Sequence, residues 1–111
     1  ADTIGVGTPR RVQAALEAAL KHYPLAEVSG HFHDSYGMAL ANIYASLEVG
    51  ISTFDTSVSG LGGCPYAKGA TGNVATDDLD RLIDAGTFIR DVLQQPSGSR
   101  VARALLAKRA G

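Results

Sequence analysis

The sequence predicts an α/β fold of parallel strands joined by helices, and three observations carry that prediction. Short β-type segments alternate with stretches of ten or more residues at helical spacing. The residues able to do chemistry sit at or after the C-terminal ends of those segments, and a glycine-rich loop follows the last of them. Alternation of this kind builds right-handed parallel crossovers, in an open doubly wound sheet or in a (β/α)8 barrel, and both gather functional groups where strands end.

The elements follow in order. Ala1-Asp2-Thr3-Ile4-Gly5 reads as the end of a strand, so further sequence is expected upstream. Thr8-Pro9 is a helix start, a capping hydroxyl followed by proline at the first helical position, and Val12, Ala15, Leu16 and Ala19 continue at helical spacing. This predicts a helix over residues 9–22, ended by Pro24. Residues 25–33 read as a strand, with Val28, Gly30 and Phe32 on one face and Ser29, His31 and His33 on the other. Asp34 or Ser35 can cap a second helix over 36–49, whose Met38, Ala41, Ala45 and Leu47 approximate a buried stripe and whose stop is Gly50.

Residues 51–57 read as another strand. The loop 58–72 holds Gly60, Gly62, Gly63, Gly69, Gly72 and Pro65, which is too punctuated for regular structure. A helix then starts at Thr76 and carries Leu79, Leu82, Ile83 and Ile89, and a polar break at 94–99 precedes a basic helix over 100–108. A closed barrel needs about 250 residues, so the 111 residues here cover at most its last part. Residues 1–95 would be the last strands and helices, and residues 96–111 a helical tail.

Composition narrows the function classes. With 45% hydrophobic and 19% charged residues and a formal net charge of -1, the chain has no basic field for nucleic acid. No apolar run approaches the roughly 20 residues that span a bilayer. The one cysteine, Cys64, cannot form an internal disulfide, which fits a reducing compartment.

Three positions carry candidate chemistry. His31 and His33, two apart on a strand, present imidazoles on one face within reach of one ion, although either can equally be a structural histidine. Asp34 points the other way, toward the following helix. Cys64 lies between glycines and Pro65, where burial in a core is a poor account, and a thiol on such a loop can act as acid or base. Asn73 after a glycine turn reads by spacing alone as a turn residue, with an amide oxygen that can complete an oxygen-rich cation site if the loop folds back. Asp2 can bind substrate oxygens or cap the next turn.

Set side by side, three stretches resemble the C-terminal part of the 3-hydroxy-3-methylglutaryl-CoA lyases. These are Asp2-Thr3-Ile4-Gly5-Val6-Gly7-Thr8-Pro9, His31-Phe32-His33-Asp34-Ser35-Tyr36-Gly37, and Gly60-Leu61-Gly62-Gly63-Cys64-Pro65-Tyr66-Ala67 running on to Gly69-Ala70-Thr71-Gly72-Asn73-Val74-Ala75-Thr76. The His-x-His element is shared with related synthases and aldolases of the same barrel family, whereas the cysteine loop favours the lyase. The resemblance implies the C-terminal portion of a (β/α)8 TIM barrel and a retro-Claisen cleavage giving acetyl-CoA and acetoacetate. It implies a Mg2+ or Mn2+ ion held by His31, His33 and Asn73, with an Asp from an absent strand as the fourth protein ligand. Cys64 would be the catalytic thiol, His31 a further proton relay, and Asp2 a supporting polar group in the substrate pocket.

The resemblance also implies an acyl-CoA substrate, a homo-oligomer, and a bacterial cytoplasmic or mitochondrial-matrix location. Family members carry a longer segment between the parts like Thr76–Leu79 and Asp80–Gly86, so a gap near 79–80 is expected, and a protein of only 111 residues is expected to be inactive.

Overall fold

Pro9 opens the first helix, as its fixed φ and missing N–H allow at that position. The helix α1 runs over Pro9–Ala19 in the computed structural model, which describes residues 1–93. Thr8 occupies the cap with extended backbone, but its hydroxyl makes no capping bond; its carbonyl instead accepts from Val12 N–H at 2.9 Å. The helix stops three residues before the expected end, because the N–H groups of His22 and Tyr23 both turn back to the Ala19 carbonyl. Val12 is buried and Leu16 half-buried, while Ala15 is exposed.

The strand expected over 25–33 is much shorter. Pro24 sets up a turn closed by Glu27 N–H on its carbonyl at 2.9 Å, so Leu25–Glu27 is a 3-10 turn. β1 is Gly30–His31, pairing in parallel with β2, Phe54–Asp55, which is likewise shorter than the expected 51–57. The register sets Gly30 beside Phe54 and His31 beside Asp55. Single parallel bridges of Asp2 with Phe32 and of Ser57 with Ala75 extend this order on both sides. Parallel segments therefore follow one another along the chain, as the alternating pattern predicts.

The second helix, α2, covers Ala39–Val49 rather than starting at Tyr36. Gly37, at φ +70°, holds a left-handed turn that a continuing helix cannot contain. Asp34 supplies the missing start signal, its Oδ1 accepting from Ala39 N–H at 2.9 Å. Gly50 at φ +106° ends the helix as expected. Its buried face also differs: Ala41 is exposed and Met38 half-buried, whereas the polar Asn42 and Ser46 are buried. Asn42 Nδ2 donates to the Gly7 carbonyl at 3.1 Å, while its Oδ1 is buried without a partner among the described residues, and Ser46 Oγ donates to the Asn42 carbonyl at 2.7 Å. The apolar core joins Val12, Phe32, Ala39, Ile43, Leu47 and Val74, with Leu16, Leu40, Phe54 and Leu79 packed against it.

The glycine loop is more ordered than its composition suggests. Val58–Gly60 is a 3-10 turn, and β3 (Gly63–Cys64) pairs antiparallel with β4 (Ala67–Thr71) across an irregularity between Gly63 and Cys64. Gly62 at φ +120° and Gly69 at φ +82° permit this bent hairpin. α3 covers Thr76–Leu93 and passes residues 79–80 without a break. The expected polar break at 94–99, the helix over 100–108 and the tail over 96–111 lie outside the described residues.

The Asp34 bond to α2 carries a modest prediction. Asp34→Ala is expected to lower stability by about 1 kcal/mol, within the range for lost helix caps, as a reduced midpoint in urea unfolding.

Candidate active site

Strand alternation points His31 and His33 to one face and Phe32 to the other, and the structure follows that division. Phe32 lies in the core, and the two imidazole centroids are 5.1 Å apart with rings tilted by 47°. His33 is buried and His31 partly exposed. Each ring is held by its Nδ1. His33 Nδ1 lies 2.6 Å from the Thr71 carbonyl, and His31 Nδ1 lies 2.9 Å from Asp55 Oδ2. A carbonyl and a carboxylate only accept, so both Nδ1 atoms carry a proton. Neither Nε2 has a partner among the described residues, so each neutral imidazole keeps a free lone pair there.

Thr71, at the end of β4, ties the hairpin across these strand ends. Beyond accepting from His33, its Oγ1 accepts from Asp34 N–H at 3.1 Å and its N–H donates to Ser35 Oγ at 3.2 Å. Cys64 is a free thiol, half-buried on the other strand of the same hairpin. The hairpin carrying the thiol is thus anchored on the residue that orients one imidazole.

Residues 73–75 thread between the ends of β1 and β2. Val74 N–H donates to the Phe32 carbonyl at 2.9 Å and Ser57 N–H to that of Val74 at 3.0 Å. His33 and Asn73 form an antiparallel bridge, which brings Asn73 beside the imidazole pair. Gly72 makes this approach possible, since a Cβ there would run into the Leu61 carbonyl and lie 2.8 Å from that of Gly60. Gly72→Ala is expected to cost about 1–3 kcal/mol, as overpacking against backbone does, seen as a lowered melting temperature together with weakened cation binding.

Asp2 joins this group through its backbone, its N–H donating to the His31 carbonyl at 2.8 Å and its carbonyl accepting from His33 N–H at 3.2 Å. Its backbone pairs beside Phe32, and its carboxylate accepts from Val6 N–H at 3.0 Å and Gly7 N–H at 2.7 Å, anchoring the turn before α1. The structure therefore brings His31, His33 and Asn73 together, sets Cys64 on the hairpin strand whose Gly63 pairs with Thr71, and engages the Asp2 carboxylate with its own loop. Asp55 and Thr71 are the residues that sequence reading missed; a parallel register placing residue 31 beside 55 would have found the first.

A donor set of two imidazole nitrogens and an amide oxygen fits a divalent cation. Among the described residues no three His, Cys, Asp or Glu side chains converge as ligands, so the amide is needed for a third protein donor. Nδ1 held by a carboxylate or carbonyl, with Nε2 free, is the arrangement in which histidines ligate metals.

Parallel strands whose ends carry paired imidazoles, hydrogen-bonded through Thr71 to a thiol-bearing hairpin, define an α/β protein with a strand-end site. The chain belongs to the HMGL-like family, whose model matches residues 1–95. It is 53% identical to a 3-hydroxy-3-isohexenylglutaryl-CoA/hydroxy-methylglutaryl-CoA lyase of Pseudomonas aeruginosa, over 96% of this chain and 41% of that protein. Mitochondrial hydroxymethylglutaryl-CoA lyases of plants and animals match as well.

Among solved structures, the HMG-CoA lyase of Brucella melitensis superposes with a TM-score of 0.70 at 43% identity, over 98% of this chain and 37% of that one. An HMG-CoA lyase from Acinetobacter baumannii in complex with coenzyme A and 3-methylmalate gives 0.65 at 32% identity, over 92% and 38%. The chain thus spans about two fifths of the length of the Pseudomonas relative. That match runs over 122 positions although the chain has 111 residues, so the relative holds residues within the matched span that this chain lacks.

Proposed function

We propose that the chain is the C-terminal part of a (β/α)8-barrel lyase that cleaves 3-hydroxy-3-methylglutaryl-CoA into acetyl-CoA and acetoacetate. The observation that carries this reading is the pair of unpartnered Nε2 atoms on His31 and His33, with His33 hydrogen-bonded to Thr71 of the hairpin that bears the only thiol. The names of the relatives supply the substrate class, an acyl-CoA.

In this reading His31, His33 and Asn73 hold a divalent cation, Mg2+ or Mn2+, which when bound supplies Lewis-acid polarisation of the substrate's oxygen atoms. The chain's own groups do the rest. The two imidazoles are pre-oriented by Asp55 and Thr71, so no reorganisation is needed at the moment of reaction. Loss of the tertiary hydroxyl proton starts cleavage of the carbon–carbon bond, which leaves acetoacetate and the enolate of acetyl-CoA. Cys64 donates the proton that quenches the enolate carbon. The hydroxyl proton leaves to water at the strand end, because His31, with Nε2 given to the cation and Nδ1–H donated to Asp55, keeps no lone pair with which to relay it. Asp2 contributes by holding the Ile4–Gly7 turn that borders the strand ends. The residues absent relative to the Pseudomonas protein are assigned to the position near 79–80.

The test joins this chain to the N-terminal remainder of the Pseudomonas lyase and supplies 3-hydroxy-3-methylglutaryl-CoA. Equimolar acetyl-CoA and acetoacetate, abolished by chelation and restored by Mn2+ or Mg2+, is the expected result. Cation binding without cleavage would instead indicate a non-catalytic metal-binding fragment.

A further inference from the structure

We propose that Asp55 is a positioning residue for the cation site: its carboxylate holds His31 in the Nδ1–H tautomer, so that Nε2 keeps the lone pair a metal needs. The inference rests on the reading of His31 as a ligand, and it adds a group outside the ligand set.

In a parallel ladder, residues opposite one another project from the same face of the sheet. β1 and β2 set His31 opposite Asp55, so the carboxylate of the second strand is delivered to the imidazole of the first. The result is the 2.9 Å contact between His31 Nδ1 and Asp55 Oδ2. A neutral imidazole has one N–H, and an acceptor-only partner at Nδ1 places it there. Nε2 is then an acceptor by elimination.

His33 reaches the same state by a different route, through the Thr71 carbonyl at 2.6 Å. Two neighbouring histidines, fixed in one tautomer by unrelated partners, are difficult to account for by packing alone. The two partners also differ in consequence. Thr71 acts through its backbone carbonyl, which substitution does not remove, whereas Asp55 is an exposed side chain, 59% accessible, whose carboxylate bonds His31 alone among the described residues. Substitution at Asp55 therefore isolates the orienting effect with little disturbance of the fold.

The experiment uses the 111-residue chain with 15N-labelled histidine. Long-range 1H–15N correlation of the metal-free protein reads the tautomer of His31, and Mn2+ titration followed by electron paramagnetic resonance reads affinity. The wild type is expected to show His31 protonated at Nδ1. Asp55→Ala is expected to move the proton to Nε2 and to weaken Mn2+ binding roughly 10- to 100-fold, the size of effect seen when partners of metal-bound histidines are lost.

Asp55→Asn keeps an acceptor oxygen without the charge, so it is expected to retain the Nδ1–H tautomer and lose less affinity than Asp55→Ala. Wild-type His31 protonated at Nε2 would overturn the proposal, as would an Asp55→Ala protein with unchanged tautomer or unchanged affinity. A wild type with the expected tautomer that binds no Mn2+ would overturn the cation reading and, with it, the role given to Asp55; the tautomer signal, which needs no metal, tells the two failures apart.

Discussion

Cys64→Ala is expected to lower turnover of the joined protein by roughly a hundred- to ten-thousand-fold, the usual contribution of a positioned general acid, while leaving Mn2+ affinity unchanged. The separation follows from the structure. Cys64 lies on β3, whereas the anchoring bonds to His33, Asp34 and Ser35 are made by Thr71 of β4 and the adjoining Gly72. Truncating a half-buried thiol to a methyl removes one sulfur atom and none of those bonds. Folding cost should therefore stay near or below about 1 kcal/mol, as for a small volume change at a partly exposed site. If the acid is removed, the enolate persists and collapses back to substrate, so kcat falls more than KM rises. Initial rates and an Mn2+ titration on the same preparation check this; a variant with unaltered kcat would show that the proton comes from elsewhere.

His33→Ala should have the other large effect, and a compound one. The residue is buried, and its Nδ1–H satisfies the Thr71 carbonyl. Removing the imidazole takes away a cation donor and leaves that acceptor without its partner, at a cost of about 1–3 kcal/mol. Both the melting temperature and the cation affinity should fall, and the hairpin bearing Cys64 should loosen. His31→Ala offers the contrast. Its ring is 29% exposed and its partner Asp55 is 59% exposed, so affinity should fall with little change in stability. Thermal unfolding and Mn2+ titration of the two variants would separate them. Equal destabilisation by both would contradict the asymmetry in burial.

Much of the active-site geometry was legible before the fold was. Period-2 alternation separates Phe32 from His31 and His33 without any knowledge of neighbours, and the structure keeps that separation. Pro9 and Gly50 mark helix boundaries for local steric reasons, and both boundaries hold. What stayed hidden depends on tertiary register. Asp55 meets His31 only because β1 and β2 pair with those residues opposite, and nothing local to residue 55 signals it. The hairpin over residues 63–71 was hidden because glycines at positive φ interrupt the period-2 pattern that would announce two strands. Asn42 and Ser46, outside the expected stripe of Met38, Ala41, Ala45 and Leu47, are buried because their side chains reach the Gly7 and Asn42 carbonyls. The late start of α2 turns on Gly37, whose left-handed conformation a helical pattern does not reveal.

The central claim is that the imidazoles of His31 and His33 jointly hold a divalent cation through their Nε2 atoms. Electron spin-echo spectroscopy of Mn2+ bound to the joined protein tests it most directly, because nitrogen nuclei bonded to the ion modulate the echo. Two imidazole couplings are predicted in the wild type, one in each of His31→Ala and His33→Ala where residual binding allows measurement, with 15N-histidine labelling shifting both signals. Bound Mn2+ without any histidine nitrogen coupling would contradict the account.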